Sequence, residues 1–270
     1  MLIFDAFKLL IPPGSKVLDI GGHVGKIAGV FGVLAGPTGE VHTFEPHPIL
    51  YFDLSALCSL AETENKLRIL PYSKALSDSI GHCTFNISRF VDKPEFNQAS
   101  SIEPALANES RLGDNFIRIM VETDTVDNFC RAHFVAPTFI KIDTEGADYR
   151  VIRGAHQAIE RYRPAIILEF GFHPHQDIPT NKTEHLSYLE SAGYDLFIVD
   201  IMHFNGKDSS STAPFMTPHI LPISVEELPS LPGMLAANIL ALPRRSERYD
   251  NSPIRGLISP ERGLQYLRRC

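Results

Sequence analysis

The chain has 270 residues, 44% hydrophobic and 21% charged, a balance that describes a globular protein with a sizeable core and excludes a disordered or fibrous one. Its formal net charge of −7 argues against nucleic acid as the main partner, and no apolar run is long enough to span a bilayer. Four cysteines without a Cys-x-x-Cys pair argue against a zinc ribbon or a disulfide framework and suit reduced thiols, so a cytoplasmic protein without a signal peptide is expected.

Residues 2–11 have the spacing of a short amphipathic helix, stopped by Pro12-Pro13-Gly14. Residues 16–21 read as the first strand, 25–35 as a helix, Gly36-Pro37-Thr38-Gly39 as a turn, 41–45 as the second strand and 48–61 as the second helix. A third strand over 67–72 leads into Ala75-Leu76-Ser77-Asp78. Residues 83–88 and 118–123 are strand-like, and the segment between them is rich in Asn, Ser, Glu and Pro. A loop that long inside a compact domain is uncommon and is often a lid, so residues 89–116 are expected to form a mobile cover within an insertion at about 79–124. The alternation resumes with a strand at 139–143, a helix at 147–161, a strand at 165–171, a helix at 182–192 and a strand at 196–199. A Pro/Ser-rich connection over 208–232 precedes a last strand at 237–242.

Strands alternating with helices predict an α/β fold, a Rossmann-like doubly wound and mostly parallel sheet, in one domain over 1–243. The remainder, 244–270, is a basic tail: seven arginines against Glu247, Asp250 and Glu261 give it +4 and leave −11 on the rest of the chain.

The stretch from Lys16 to Pro46 carries the most chemistry. An apolar strand ends in Asp19 and the glycines Gly21, Gly22 and Gly25; after the helix, a second apolar strand ends in Glu45. This is a mononucleotide-binding βαβ half with a carboxylate at each strand tip. Asp19 would repel a pyrophosphate at the following helix N-terminus, and His23 stands where the dinucleotide fingerprint needs its second glycine. S-adenosylmethionine has no phosphate but carries an ammonium and a sulfonium, and an acid at Asp19 suits both. Glu45, twenty residues after Gly25, stands where an acid accepts hydrogen bonds from ribose hydroxyls.

The ordered motifs Val-Leu-Asp-Ile-Gly-Gly-His-Val-Gly, Thr-Phe-Glu-Pro, Ala-Leu-Ser-Asp, Thr-Val-Asp-Asn-Phe and Ile-Lys-Ile-Asp-Thr-Glu-Gly-Ala-Asp are similar to the landmarks of the FkbM-type methyltransferases. Arg153-Gly154-Ala155 and the strand ending Leu168-Glu169-Phe170 continue the resemblance, which runs from about Lys16 to Leu242. It implies a class I methyltransferase fold and transfer from S-adenosylmethionine, usually to a hydroxyl oxygen of a sugar or a natural-product scaffold. It also implies that Asp19, Gly21, Gly22, His23, Gly25, Glu45, Pro46, Ser77 and Asp78 border the cofactor, with Asp78 accepting from the adenine amino group. His23 departs from the family, which most often has Asn there.

Lys141, Asp143 and Glu145 alternate along the fourth strand and its exit, so an extended backbone puts all three on one side, beside the switch point where open α/β sheets bind ligands. One of the carboxylates, or Lys141 if burial lowers its pKa, is a candidate base for a hydroxyl proton; Asp143 alternatively holds the cofactor's methionine end. A divalent metal on Asp143 and Glu145 is the least favoured alternative, because no clear third ligand accompanies them. Glu169 and His173, at the next strand's tip, are further candidates, as are Gln98, Ser100 and Ser101 for contact with substrate hydroxyls. The expectation is an S-adenosylmethionine-dependent O-methyltransferase acting on a small-molecule hydroxyl acceptor, with homo-oligomerisation left open. A non-catalytic module keeping the cofactor fold is the alternative, and a nicotinamide-dependent dehydrogenase fails on the glycine pattern.

Overall fold

The computed structural model describes residues 2–88, 100, 102, 116–171, 181–203, 214–215, 220–228 and 234–261. The chain forms two compact units, residues 13–162 and residues 1–12 with 163–270. The expected α/β fold with a mostly parallel central sheet is observed. The chain opens with α1 (Leu2–Leu10), which belongs to the second unit.

In the unit of residues 13–162, β1 (Lys16–Ile20), α2 (Lys26–Ala35), β2 (Glu40–Phe44), α3 (Pro48–Asn65) and β3 (Ile69–Tyr72) follow one another. With β7 (Phe139–Ile142), the strands pair in the order β7-β1-β2-β3, all parallel. Every residue of β7 and all but the first of β1 and β2 are buried, as strands covered on both faces must be. Phe31 of α2 meets Phe139 of β7 edge to face at 5.5 Å, and both are fully buried.

A second, three-stranded sheet in the same unit has the order β4-β6-β5, where β4 is Ala75–Leu76, β5 Gly81–Ser88 and β6 Phe116–Asp124. Its interior is a small cluster of Ala75, Phe85 and Val121. Helix α4 (Val126–His133) was not expected, although Val126, Phe129 and Cys130 have helical spacing and are buried. Thr125 caps it, its hydroxyl accepting from the Asn128 amide at 3.0 Å.

The helix expected over 147–161 is broken into α5 (Asp148–Arg153) and α6 (His156–Tyr162). Gly154 sits at the break because a Cβ there would overlap the Ser77 carbonyl. Asp127, reaching from α4, accepts the Gln157 and Ala158 amides at 3.1 and 2.8 Å and so caps α6. The Thr-Val-Asp-Asn-Phe motif therefore has a structural use: it caps two helices.

The second unit continues with β8 (Ala165–Gly171), α7 (Asn181–Ser191), β9 (Tyr194–His203), β10 (Pro214–Phe215), β11 (Leu221–Ile223), β12 (Met234–Pro243), α8 (Glu247–Asp250) and a 3-10 turn at Pro253–Leu257. β12 lies antiparallel between β8 and β9, and β10 and β11 both pair with β9. The connection over 208–232 thus contains two short strands that its composition hid. The Arg163 guanidinium binds the Ala192 and Gly193 carbonyls that follow α7 and lies 4.6 Å from the Tyr194 ring centroid. The buried Tyr249 hydroxyl accepts from the Ala165 amide at 3.0 Å, tying the start of the tail to β8.

Candidate functional site

The site begins at the turn after β1. Both Gly21 and Gly22 amides donate to the Phe44 carbonyl, at 3.0 and 2.9 Å, so the turn is clamped to the end of β2. Gly21 has φ 85°, and a Cβ there would overlap the Asp143 carbonyl oxygen, so only glycine fits. His23 has φ 49°, in the left-handed region that Asn, Asp and His enter more readily than other side chains. The backbone at this position therefore tolerates His better than most non-glycine residues. Gly25, with φ 86°, opens α2 as its N-cap residue.

Across the strands behind this turn runs a buried polar row. Register pairs Thr43 of β2 with Asp19 of β1, and Asp19 with Lys141 of β7. Asp19 is 0% exposed; its Oδ2 accepts from the Thr43 hydroxyl at 2.9 Å, and its Oδ1 lies 3.5 Å from Lys141 Nζ, beyond a well-formed hydrogen bond. Lys141 Nζ donates to the Gly21 carbonyl at 2.8 Å and lies 3.1 Å from Asp143 Oδ2. One ammonium thus ties β1, the glycine turn and the exit of β7 together.

Burial pushes the Asp19 carboxyl above the usual carboxylate range, against the pull of Lys141 and the Thr43 hydroxyl. For Lys141, burial pulls the pKa down, but Asp143 and Asp19 together push it further up, and it ends above its ordinary value. The condition attached to Lys141 as a base, a pKa lowered by burial, is therefore not met: two carboxylates hold it protonated.

Glu45, 6% exposed, follows β2 and faces the turn. Its Oε2 accepts the His23 amide and its Oε1 the His47 amide, each at 2.8 Å. Burial raises its pKa to about 7, against those two hydrogen bonds. Glu45 thus braces the turn and the entry to α3. His47, also buried, caps α3 through Nδ1, which faces the Ile49 and Leu50 amides at 3.2 and 3.4 Å. Pro46 sits between these two residues, partly buried.

The exit of β7 is a tight acidic loop. Asp143 is anchored by its amide to the Ile20 carbonyl at 3.0 Å. Glu145 (φ 52°) and Gly146 (φ 92°) are consecutive left-handed residues. Asp148, buried at the start of α5, accepts the Thr144 amide at 3.3 Å and its hydroxyl at 3.2 Å. Burial first, then the neighbouring carboxylates, raise Glu145 to about 8; burial and Asp143 raise Asp148 to about 6. Asp148 was not singled out from the sequence; its spacing of four from Thr144, at the start of a helix, was the available signal.

Ser77 is buried, its amide donating to the Asp124 carbonyl at 2.8 Å, and its hydroxyl lies 3.3 Å from Asp78 Oδ1. That same oxygen is 3.6 Å from the Arg150 guanidinium of α5. The structure therefore joins Asp19, Gly21, Gly22, His23, Glu45, Lys141 and Asp143 through direct contacts, while Ser77 and Asp78 form a separate pair. Glu169 lies on β8, in the other unit. His173, Gln98, Ser101 and most of the expected cover lie outside the described residues; Ser100 lies within them. Among the described residues, no group of three His, Cys, Asp or Glu is placed to hold a metal ion, and no helix is long and apolar enough to cross a membrane.

A parallel βαβ unit with a glycine turn and an acid at each strand tip belongs to the nucleotide- and adenosyl-cofactor-binding class of α/β folds. The chain belongs to the FkbM methyltransferase family, an S-adenosylmethionine-dependent methyltransferase family: the model of the methyltransferase FkbM domain matches residues 19–196. Similar solved structures include the FkbM methyltransferase of Methylobacillus flagellatus KT (15% identity, TM-score 0.48, 85% of this chain and 44% of that one). Others are precorrin-6y C5,15-methyltransferase of Geobacter metallireducens GS-15 (11% identity, TM-score 0.40, 89% of this chain and 88% of that one) and Aeropyrum pernix fibrillarin with natively bound S-adenosyl-L-methionine (14% identity, TM-score 0.42, 87% and 68%). The chain spans less than half the length of the Methylobacillus protein. No curated protein sequence matches it.

Proposed function

We propose that this protein is an O-methyltransferase that transfers the methyl group of S-adenosylmethionine to a hydroxyl of a sugar or small natural-product acceptor. The residues at the turn fit that cofactor. The carboxyl groups of Glu45, Asp143 and Glu145 offer oxygens that accept hydrogen bonds, a set that suits a cationic, hydroxyl-bearing molecule better than a phosphate. His23 Nε2 is buried without a hydrogen-bond partner, a polar atom available to a ligand. Each Glu45 oxygen takes one amide and keeps a lone pair for a ribose hydroxyl. In this reading Gly21, Gly22, His23, Gly25 and Pro46 shape the turn around the cofactor, Asp143 receives its methionine end, and Ser77 and Asp78 face its adenine. Asp19, fully buried, acts through Lys141 and Thr43.

When bound, S-adenosylmethionine supplies an electrophilic methyl on a sulfonium. The chain's own task is to place the acceptor oxygen and to take its proton. The observation that carries the reading is the position of Glu145, a carboxylate held by a left-handed turn beside Asp143 at the exit of β7; burial pushes its pKa up to about 8, so in its ionised form it is a stronger base than an ordinary carboxylate. Lys141 keeps its proton and fixes Asp143. The test is methyl transfer to a panel of glycosides and hydroxylated natural products, read by product mass. A methylated product whose new mass lies on carbon or nitrogen rather than oxygen would overturn the O-methyl assignment.

A further inference from the structure

We propose that the outer face of α2 and α3 is the interface of an isologous dimer of this chain. α3 has two apolar faces. Leu50, Leu54 and Cys58 point inward and are buried. Ile49, Phe52, Ala56 and Leu60 recur at spacings of three and four, so they form one stripe on the opposite face. There Ile49 is 69% exposed, Phe52 72% and Leu60 60%, and on the neighbouring α2 Val33 is 68% exposed. The two helices run parallel, both crossing between parallel strands, and pack closely: a Cβ on Gly25 would lie 2.8 Å from Leu54 Cδ1. The four large side chains expose on the order of 500 Å² together, as much as the largest patch on a typical monomer.

Three observations select a second copy as the occupant. The face has little charge: Lys26, at its start, is the only ionised residue of α2, α3 has no basic residue between Pro48 and Asn65, and the exposed Asp53 is the one acid beside the middle of the stripe. An anionic lipid or nucleic-acid surface needs basic residues, so neither fits. Charge at the ends is self-complementary: Glu62 and Glu64 lie in the last turn of α3, so an antiparallel two-fold brings them to the helix N-termini and to Lys26 of the partner subunit. Partly exposed Val30 and Leu57, beside the stripe, extend the area toward the roughly 800 Å² that each partner gives to a standard interface.

The test is sedimentation equilibrium of the full chain from about 1 to 100 μM, for the wild type, Phe52→Asp, Leu60→Lys and the control Phe134→Asp, whose side chain is 90% exposed on α4's end. The wild type and control are expected to dimerise. Phe52→Asp and Leu60→Lys are expected to raise the dissociation constant about 30-fold or more, with S-adenosylmethionine affinity unchanged and thermal melting unchanged at concentrations where the wild type is monomeric. Ala56, near the middle of the stripe, lies close to the two-fold axis, so Ala56→Cys is expected to give a disulfide-linked dimer under mild oxidation that the wild type does not give. A wild type that stays monomeric at the highest concentration would overturn the proposal. So would a dimer that survives both charged substitutions, or a monomer that binds neutral phosphatidylcholine vesicles through Phe52.

Discussion

Two polar rows cross the β-strands of this protein, one in each unit, and they are built on opposite electrostatic plans. In the unit of residues 13–162, Thr43, Asp19 and Lys141 stand in register across β2, β1 and β7. In the other unit, Asp200, Asn238 and Glu169 stand in register across β9, β12 and β8. The first row is shut away from water and contains its own counter-charge: Asp19 is 0% exposed and Lys141 8%. The second has no basic member, and both Glu169 and Asn238 keep part of their surface exposed. A row sealed from solvent must satisfy its charges within the protein, and the partly exposed Glu169 and Asn238 are less constrained in that way. The sealed row holds the glycine turn in place, and the turn is where the cofactor is proposed to bind.

The largest expected effect breaks the sealed row. Lys141→Met leaves the Asp19 and Asp143 carboxylates without their ammonium and is expected to cost about 3–5 kcal/mol in urea unfolding, whereas Glu169→Gln is expected to stay within about 1 kcal/mol. Adding Asp19→Asn to Lys141→Met is expected to recover part of the loss. Equal costs for Lys141→Met and Glu169→Gln would remove the distinction between the rows.

The next contrast is chemical. With a methylated acceptor in hand, Glu145→Gln is expected to lower single-turnover rates by about 100-fold or more, with cofactor affinity little changed. Asp143→Asn is expected to weaken cofactor binding instead. Chelator is expected to leave both rates unaltered, and a chelator-sensitive rate restored by a divalent cation would return the metal alternative. Should Glu145→Gln turn over at the wild-type rate, the base must be sought at Glu169 or His173.

Cofactor affinity sharpens the comparison further. Glu45→Ala is expected to weaken S-adenosylmethionine binding by about 1–3 kcal/mol by calorimetry, and Glu169→Ala to leave it unchanged.

The smallest expected effect is a difference in pH slope. Glu45 binds its proton more tightly folded, at about 7, than unfolded, where it titrates at 4.5. Its contribution to stability is therefore full below pH 4.5 and is lost as pH rises through about 7. His185, buried on α7 of the other unit, is held by burial down to about 4 from 6.5. Its contribution is full above pH 6.5 and is lost as pH falls toward about 4. Unfolding free energies measured between those limits should show Glu45→Gln and His185→Leu tilting the pH dependence in opposite directions, each by at most about 1.4 kcal/mol per pH unit. Slopes of the same sign would show that one of the two assignments is wrong.

Much of this was legible in the sequence because it is local. Apolar periodicity marked most strands and helices, though not the short strands β10 and β11, the Gly21-to-Gly25 run marked the turn, and Asp19 and Glu45 marked the strand tips. The misses had both local and tertiary causes. Helix α4 was hidden because its eight residues are short and follow directly on a strand, and the long helix was broken by a carbonyl of Ser77 that only folding brings against Gly154. Lys141 was offered as a base only if burial lowered its pKa; burial does act in that direction, but Asp143 at the exit of its own strand and Asp19 on the neighbouring one act against it.

The amino-acid sequence by itself determined the order of elements, the family and the glycine-and-acid turn, since each rests on residues a few positions apart. The tertiary structure alone decided the protonation and partners of the site. Lys141 reaches a carbonyl 120 residues away, at Gly21, and Glu45 spends its oxygens on the amides of His23 and His47. Charge and hydrogen bonding act through space, and strand register, not spacing along the chain, sets which groups meet in the low-dielectric interior.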